Sequence, residues 1–208
     1  MIMQTPVEKF LDELASGNPT PGGGSAAAVM GAMGAALVSM VCNVTIGKRG
    51  YEAAEAEMRQ VLNESERVRR RLTQMVAEDI AAFDSIMAAY KLPKATDQDK
   101  ATRAAAIQAG LRRATETPLD CARVCAEVIA LARRAGEHGY LNVISDAGVG
   151  VLAGCAGLRS AALNVHINAP ALKDRAFAEQ ALAEIHQLVE YSLADSDAVY
   201  TLVRNKLG

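Results

Sequence analysis

Between Glu52 and Tyr90 the apolar residues return with the period of an α-helix, and no glycine or proline interrupts the run. At 100° per residue, Val68, Leu72, Met75, Phe83, Ile86 and Tyr90 all fall within about 40° of Asp79, on one stripe. A helix of this length exceeds the ~10–14 residues usual in globular proteins. It cannot bury its stripe alone, so the spacing predicts long antiparallel neighbours or a helix shared across a subunit interface.

The rest of the chain carries matching helix punctuation. Thr5-Pro6-Val7-Glu8 reads as an N-cap, a proline at the first helical position and a carboxylate three residues after the cap, opening a helix that Gly17 ends. Further helices are expected from Ser25 to Thr45, from Thr96 to about Thr115 and, opened by Thr117-Pro118-Leu119-Asp120, to about Gly136. Two more are expected from about Ser145 to Asn168 and from about Asp174 to Asn205. No stretch alternates with period two in β-branched residues, so no sheet is expected.

The expected fold is therefore all-α, a single-domain bundle of long antiparallel helices over residues 1–208. Half of the residues are apolar, yet only 4% are aromatic and there is no Trp, so Ala, Leu, Val, Ile and Met must build the core. A net charge of -2 with mixed signs gives no electrostatic reason to expect nucleic acid or a membrane surface and leaves a small molecule as the expected partner. Cys42, Cys121, Cys125 and Cys155 form no Cys-x-x-Cys pair, and His138, His166 and His186 show no ligand spacing. Free thiols in a reducing cytoplasm, with no metal, are expected. The first residues, MIMQTPVEKF, lack the basic flank and apolar block of a secretory signal.

The stretch NPTPGGGSAAAVMGAMGAALVSMV, Asn18 to Val41, limits itself by spacing. Its uncharged core, 26–42, falls short of the ~20 strongly apolar residues that a bilayer requires. A phosphate loop would need its lysine directly after the glycines, whereas Gly47-Lys48 come at the far end of the helix. Small residues at Ala27, Gly31, Gly34 and Ala35 admit a close neighbour and predict a central helix. The glycines then either present backbone N–H groups to a carbonyl, carboxylate or anion, or form a flexible turn with Ser25 as the N-cap.

Asp79 is the sharpest candidate for chemistry. A lone carboxylate in an apolar seam costs free energy unless it is paired, and desolvation raises its pKa toward the range of a general acid or base. The alternative is a core acid satisfied across the bundle. Asp84 falls well off the stripe and reads as a rim residue. Lys48 lies in the glycine-bracketed Thr45-Ile46-Gly47-Lys48-Arg49-Gly50-Tyr51, either projecting into a pocket or solvated near a helix C-terminus. Asp146 is either a first-turn acid or partly buried, with Ser145 or Asn142 as the cap. Asn164 and Asn168 share a helical face, where amides suit the donor and acceptor edges of a heterocycle; C-terminal capping is the other reading, above all for Asn168.

The segments PTPGGGSAAA, TIGKRGYE, EDIAAFDSIMAAYKLP, TETPLDCA, NVISDAGVG and LNVHIN, in this order, resemble the formiminotetrahydrofolate cyclodeaminase and methenyltetrahydrofolate cyclohydrolase family from about Val7 to Asp174. The resemblance is nearest to stand-alone bacterial cyclohydrolases, since no formiminotransferase domain precedes the match. It implies an all-helical homodimer working on a tetrahydrofolate without metal, nucleotide or other cofactor. The implied reaction hydrolyses 5,10-methenyltetrahydrofolate to 10-formyltetrahydrofolate, with formiminotetrahydrofolate cyclodeamination as the alternative and a non-catalytic helical assembly module as the reading from another class. By the same resemblance Lys48 is the base or hydroxyl-orienting group, and Asp79 or Asp146 stabilises the cation. Gly22, Gly23, Gly24, Ser25, Tyr51, Asp84, Asn142 and Asn164 contact the substrate. Gly22–Ser25 and Gly47-Lys48 mark opposite ends of one helix, roughly 30 Å apart at 1.5 Å per residue. If both touch one folate, a second subunit completes the site near the interface.

Overall fold

The computed structural model describes residues 5–208. Its helices are α1 (Val7–Ala15), α2 (Gly23–Thr45), α3 (Glu55–Tyr90), α4 (Asp97–His138), α5 (Ile144–Asn168) and α6 (Arg175–Leu207), with single 3₁₀ turns at Glu52–Ala54, Leu141–Val143 and Ala169–Ala171. Among the described residues there is no strand.

Helices α2 and α5 lie against each other in the middle of the bundle, and glycine sets their distance. A Cβ on Gly34 would come within 2.7 Å of the Gly150 carbonyl, and one on Gly157 within 2.9 Å of the Ala27 carbonyl. The pairing of 34 with 150 and 27 with 157 makes the two helices antiparallel. On the α4 side a Cβ on Gly31 would meet the Cys125 sulfur at 2.6 Å, so the thiol occupies the space that the glycine leaves. The small-residue pattern in α2 thus serves protein packing. Helix α2 and the span Leu141–Ala171 are both long and apolar enough to cross a membrane, and 61% and 50% of their most apolar windows are buried inside the bundle. At 23 residues α2 is longer than the stretch 26–42, so, contrary to expectation, its length does not keep it out of a bilayer.

Around this pair the core is aliphatic, with Met58, Leu72, Met75, Ile129, Ile144, Leu158 and Ile185 fully buried. Burial pushes the Cys42 thiol up to about 12, which keeps it protonated and inert. Between α2 and α3 the buried Ser39 and Ser65 hydroxyls satisfy each other at 2.8 Å, and Ser65 also donates to the Leu62 carbonyl.

The punctuation holds at two helices and fails at others. Thr96 and Asp99 form the reciprocal capping box of α4, and Asp174 accepts from Phe177 N–H at the start of α6. Pro6 rather than Thr5 stands in the cap position of α1. Gly22 caps α2, leaving Ser25 inside the first turn, and α5 starts behind Val143 with neither Asn142 nor Ser145 as its cap.

The two helices expected on either side of Thr117 are one continuous α4 with Pro118 inside it. Proline lacks the N–H that would bond the carbonyl four residues earlier, here Ala114. Asn168 at the end of α5 supplies the missing donor, its Nδ2 lying 2.8 Å from the Ala114 oxygen. Asn168 therefore bonds across to a neighbouring helix instead of capping its own.

Candidate functional site

At the N-terminal end of α2 the chain leaves a cavity of about 280 Å³. Gly22, Gly23 and Gly24 form one part of its wall, and Asp79, Phe83 and Ile86 of α3 another. Thr20, Thr117 of α4, and Asn164 and Asn168 of α5 add the other polar groups of its lining.

Asp79 belongs to the stripe that faces the core, but it sits where α2 begins and no side chain from 22–24 fills the gap. A Cβ on Gly24 would lie 2.1 Å from Asp79 Oδ1, so a glycine at 24 is what leaves room for the carboxylate. The fully buried Ser25 Oγ donates to Asp79 Oδ2 at 2.8 Å. Desolvation pushes the Asp79 pKa above the ordinary carboxylate range, and hydrogen bonds from the Ser25 hydroxyl and backbone N–H pull it partly back. Ser25, expected to contact the substrate or cap the helix, is in the structure the group that orients the acid.

The two asparagines are each anchored by one amide hydrogen. Asn164 Nδ2 donates to the Ser160 carbonyl at 3.0 Å, and Asn168 to Ala114 as described. Each keeps its side-chain oxygen and one remaining N–H for other partners.

The other expected residues gather at the opposite end of α2, about 33 Å away for a helix of 23 residues rising 1.5 Å each. Lys48 is exposed in a loop whose Gly47 and Gly50 adopt φ of 73° and 87°, a region that disfavours side chains. Its Nζ lies 4.3 Å above the Tyr140 ring, and Tyr140 meets Tyr51 edge to face at 5.3 Å. Two hydrogen bonds tie this corner to α2 and to the start of α5: Leu141 N–H donates to the Tyr51 hydroxyl at 3.1 Å, and Tyr140 N–H to Thr45 Oγ1 at 2.8 Å. Asn142 lies exposed in the 3₁₀ turn that follows, and Asp146 sits half-buried in the first turn of α5.

The expected site residues thus fall into two groups. Gly22, Gly23, Gly24, Ser25, Asp79 and Asn164 are brought together at one end, and Lys48, Tyr51, Asn142 and Asp146 belong to the other. Asp84 is exposed and lies outside the cavity wall, as its angle off the stripe implies. Sequence reasoning missed Thr117, read as a helix cap, and Tyr140, which partners Lys48 from 92 positions away. Among the described residues no three His, Cys, Asp or Glu side chains are grouped to hold a metal ion.

A family profile described as formiminotransferase-cyclodeaminase matches residues 6–187. The chain is 59% identical to a methenyltetrahydrofolate cyclohydrolase of Methylorubrum extorquens over 97% of both chains. It is 38% identical to a formimidoyltransferase-cyclodeaminase of Sus scrofa over 91% of its own length, but spans only 35% of that protein. The crystal structure of a formiminotetrahydrofolate cyclodeaminase from Thermotoga maritima superposes with a TM-score of 0.83 at 30% identity, covering 100% of this chain and 98% of the other.

Proposed function

The chain belongs to the formiminotransferase-cyclodeaminase family, and from that premise we propose that it is a methenyltetrahydrofolate cyclohydrolase whose site is shared between two subunits. The observation that carries the reaction is the match to the Methylorubrum extorquens enzyme at 59% identity over 97% of both chains. The reaction adds water to the cationic methenyl carbon bridging N5 and N10. The water oxygen loses both of its protons as it becomes the formyl carbonyl; N5 takes up one as it is expelled, the other is released, and 10-formyltetrahydrofolate results.

Such a step needs a base for the water, a donor for the departing nitrogen and negative charge facing the cation. Lys48 is the base or the group that orients the water, and Asp79 and Asp146 are the carboxylates available to face the cation. No cofactor enters this scheme.

One folate cannot span the two ends of α2 within a single subunit. A second copy resolves this, and the surface favours one. Met33 of α2 is 58% exposed, and Val149, Leu163 and Ile167 of α5 are 52%, 71% and 75% exposed, forming an apolar face along the central antiparallel pair. An antiparallel copy docked on this face would bring Lys48 of the partner subunit to the Asp79 cavity. With all four cysteines free and buried, a cytoplasmic location is the reading that fits.

The test is to follow the near-ultraviolet band of methenyltetrahydrofolate. The protein should accelerate its loss beyond the buffer rate, and no acceleration by the wild type would overturn the reading. The fold match to the Thermotoga maritima cyclodeaminase supports a second reading, in which N10 attacks the N5-formimino carbon and ammonia leaves. Ammonia release from 5-formiminotetrahydrofolate, assayed beside the methenyl compound, separates the two.

A further inference from the structure

We propose that the Asp79 cavity is the seat of the pyrimidine edge of the substrate's pterin ring, so that Asp79 anchors the substrate and does not face the reacting carbon. This rests on the folate reading above and divides the roles that it left open.

Size comes first. At about 280 Å³ the cavity lies at the lower limit of the ~300–1,000 Å³ that take up a whole drug-sized ligand, so it houses one end of an extended molecule. Chemistry then selects the end. The p-aminobenzoylglutamate end of a folate carries carboxylates, and no Lys, Arg or His lines this cavity. A carboxylate in the wall would repel that end.

The pterin end offers the complement. Its 2-amino group and adjacent N3–H are two parallel donors, matched to the two oxygens of a carboxylate, and such charge-assisted pairs are the strong ones. Asp79 retains acceptor capacity beside the bonds from the Ser25 hydroxyl and backbone N–H, since a carboxylate offers about four acceptor sites. The ring's remaining carbonyl and N–H groups find the free amide edges of Asn164 and Asn168 and the side chain of Thr117, all in the same wall. Phe83 and Ile86 supply apolar surface for the ring face.

This seating has a consequence for the chemistry. N5 lies on the ring edge remote from the 2-amino group, so burying the pyrimidine edge leaves the N5–C–N10 bridge at the cavity mouth. The groups that reach it then come from the other end of a second copy, where Lys48 and Asp146 belong. Asp79 is a binding residue, and the charge facing the cation falls to Asp146.

Binding of two substrate halves tests this. Calorimetry should show 6-methyltetrahydropterin binding to the wild type and weakened about tenfold to a hundredfold by Asp79→Asn, which replaces an acceptor with a donor, while binding of p-aminobenzoylglutamate stays unchanged. An analogue of the pterin without the 2-amino group should lose binding to the wild type itself, a readout independent of how the variant folds. Wild type that accelerates methenyltetrahydrofolate hydrolysis yet does not bind the pterin fragment, or Asp79→Asn that binds it as tightly as wild type, would overturn the anchoring role alone. Selective weakening of p-aminobenzoylglutamate by Asp79→Asn would also overturn it. Wild type inactive on methenyltetrahydrofolate would overturn the function instead.

Discussion

The two ends of α2 are built on different principles. At its start, glycines, a buried serine and a half-buried aspartate form a cavity whose geometry is set by the close packing of four helices. At its finish, Lys48 stands exposed over Tyr140 in a loop that depends on two positive-φ glycines. One end is a cavity walled by a carboxylate and two amides; the other presents an exposed lysine. On the proposed reading, binding and chemistry separate along a single helix, and a second subunit would reunite them.

The largest effect should come from the exposed end. Lys48→Ala should lower kcat by about 10²–10⁴-fold, the usual contribution of a positioned acid or base, with thermal melting little changed because the side chain is exposed and contributes only a weak contact with the Tyr140 ring. A drop in melting temperature in parallel with activity would make Lys48 structural and break the contrast.

At the packed end the prediction concerns stability. Asn168→Ala leaves the Ala114 carbonyl without its donor and should cost about 1–3 kcal/mol in chemical denaturation. In a Pro118→Ala background the restored backbone N–H can bond that carbonyl, so the cost of Asn168→Ala should shrink. Strict additivity of the two changes would contradict the account of how α4 tolerates its proline.

That pairing also shows where sequence reading stops. The long α3, the opening of α4 at Thr96 and the start of α6 near Asp174 follow from local sequence and were legible. The continuity of α4 was not, because the donor that rescues Pro118 lies 54 positions from the carbonyl it serves. Asp79 was legible as a charge in an apolar stripe, while its partner Ser25, also 54 positions away, read as a helix cap. Tyr90 closes the predicted stripe but is exposed, since the last turn of α3 runs past the packed core. Local rules find unusual residues; only the packing says which of them meet.

A smaller effect should appear in the pH dependence of stability. The folded-state pKa of Asp79 is raised by burial, so between the unfolded and the folded values the folded state holds a proton that the unfolded chain has already released. The stability associated with Asp79 is complete below the unfolded carboxylate range and is lost as pH rises through the raised folded value. Asp79→Asn should flatten that decline in urea midpoints measured across the window. An unchanged slope would mean that another group carries it.

The most direct test of a site divided between the two ends is complementation. Lys48→Ala and Asp79→Asn each damage one end only, so in a mixed dimer one of the two sites regains both an intact lysine and an intact aspartate. Unfolding and refolding the two variants together at equal concentration, with substrate well below saturation, should restore about one quarter of wild-type activity, since half of the dimers are mixed and each has one whole site. Activity no greater than the average of the two variants refolded separately would contradict the shared site.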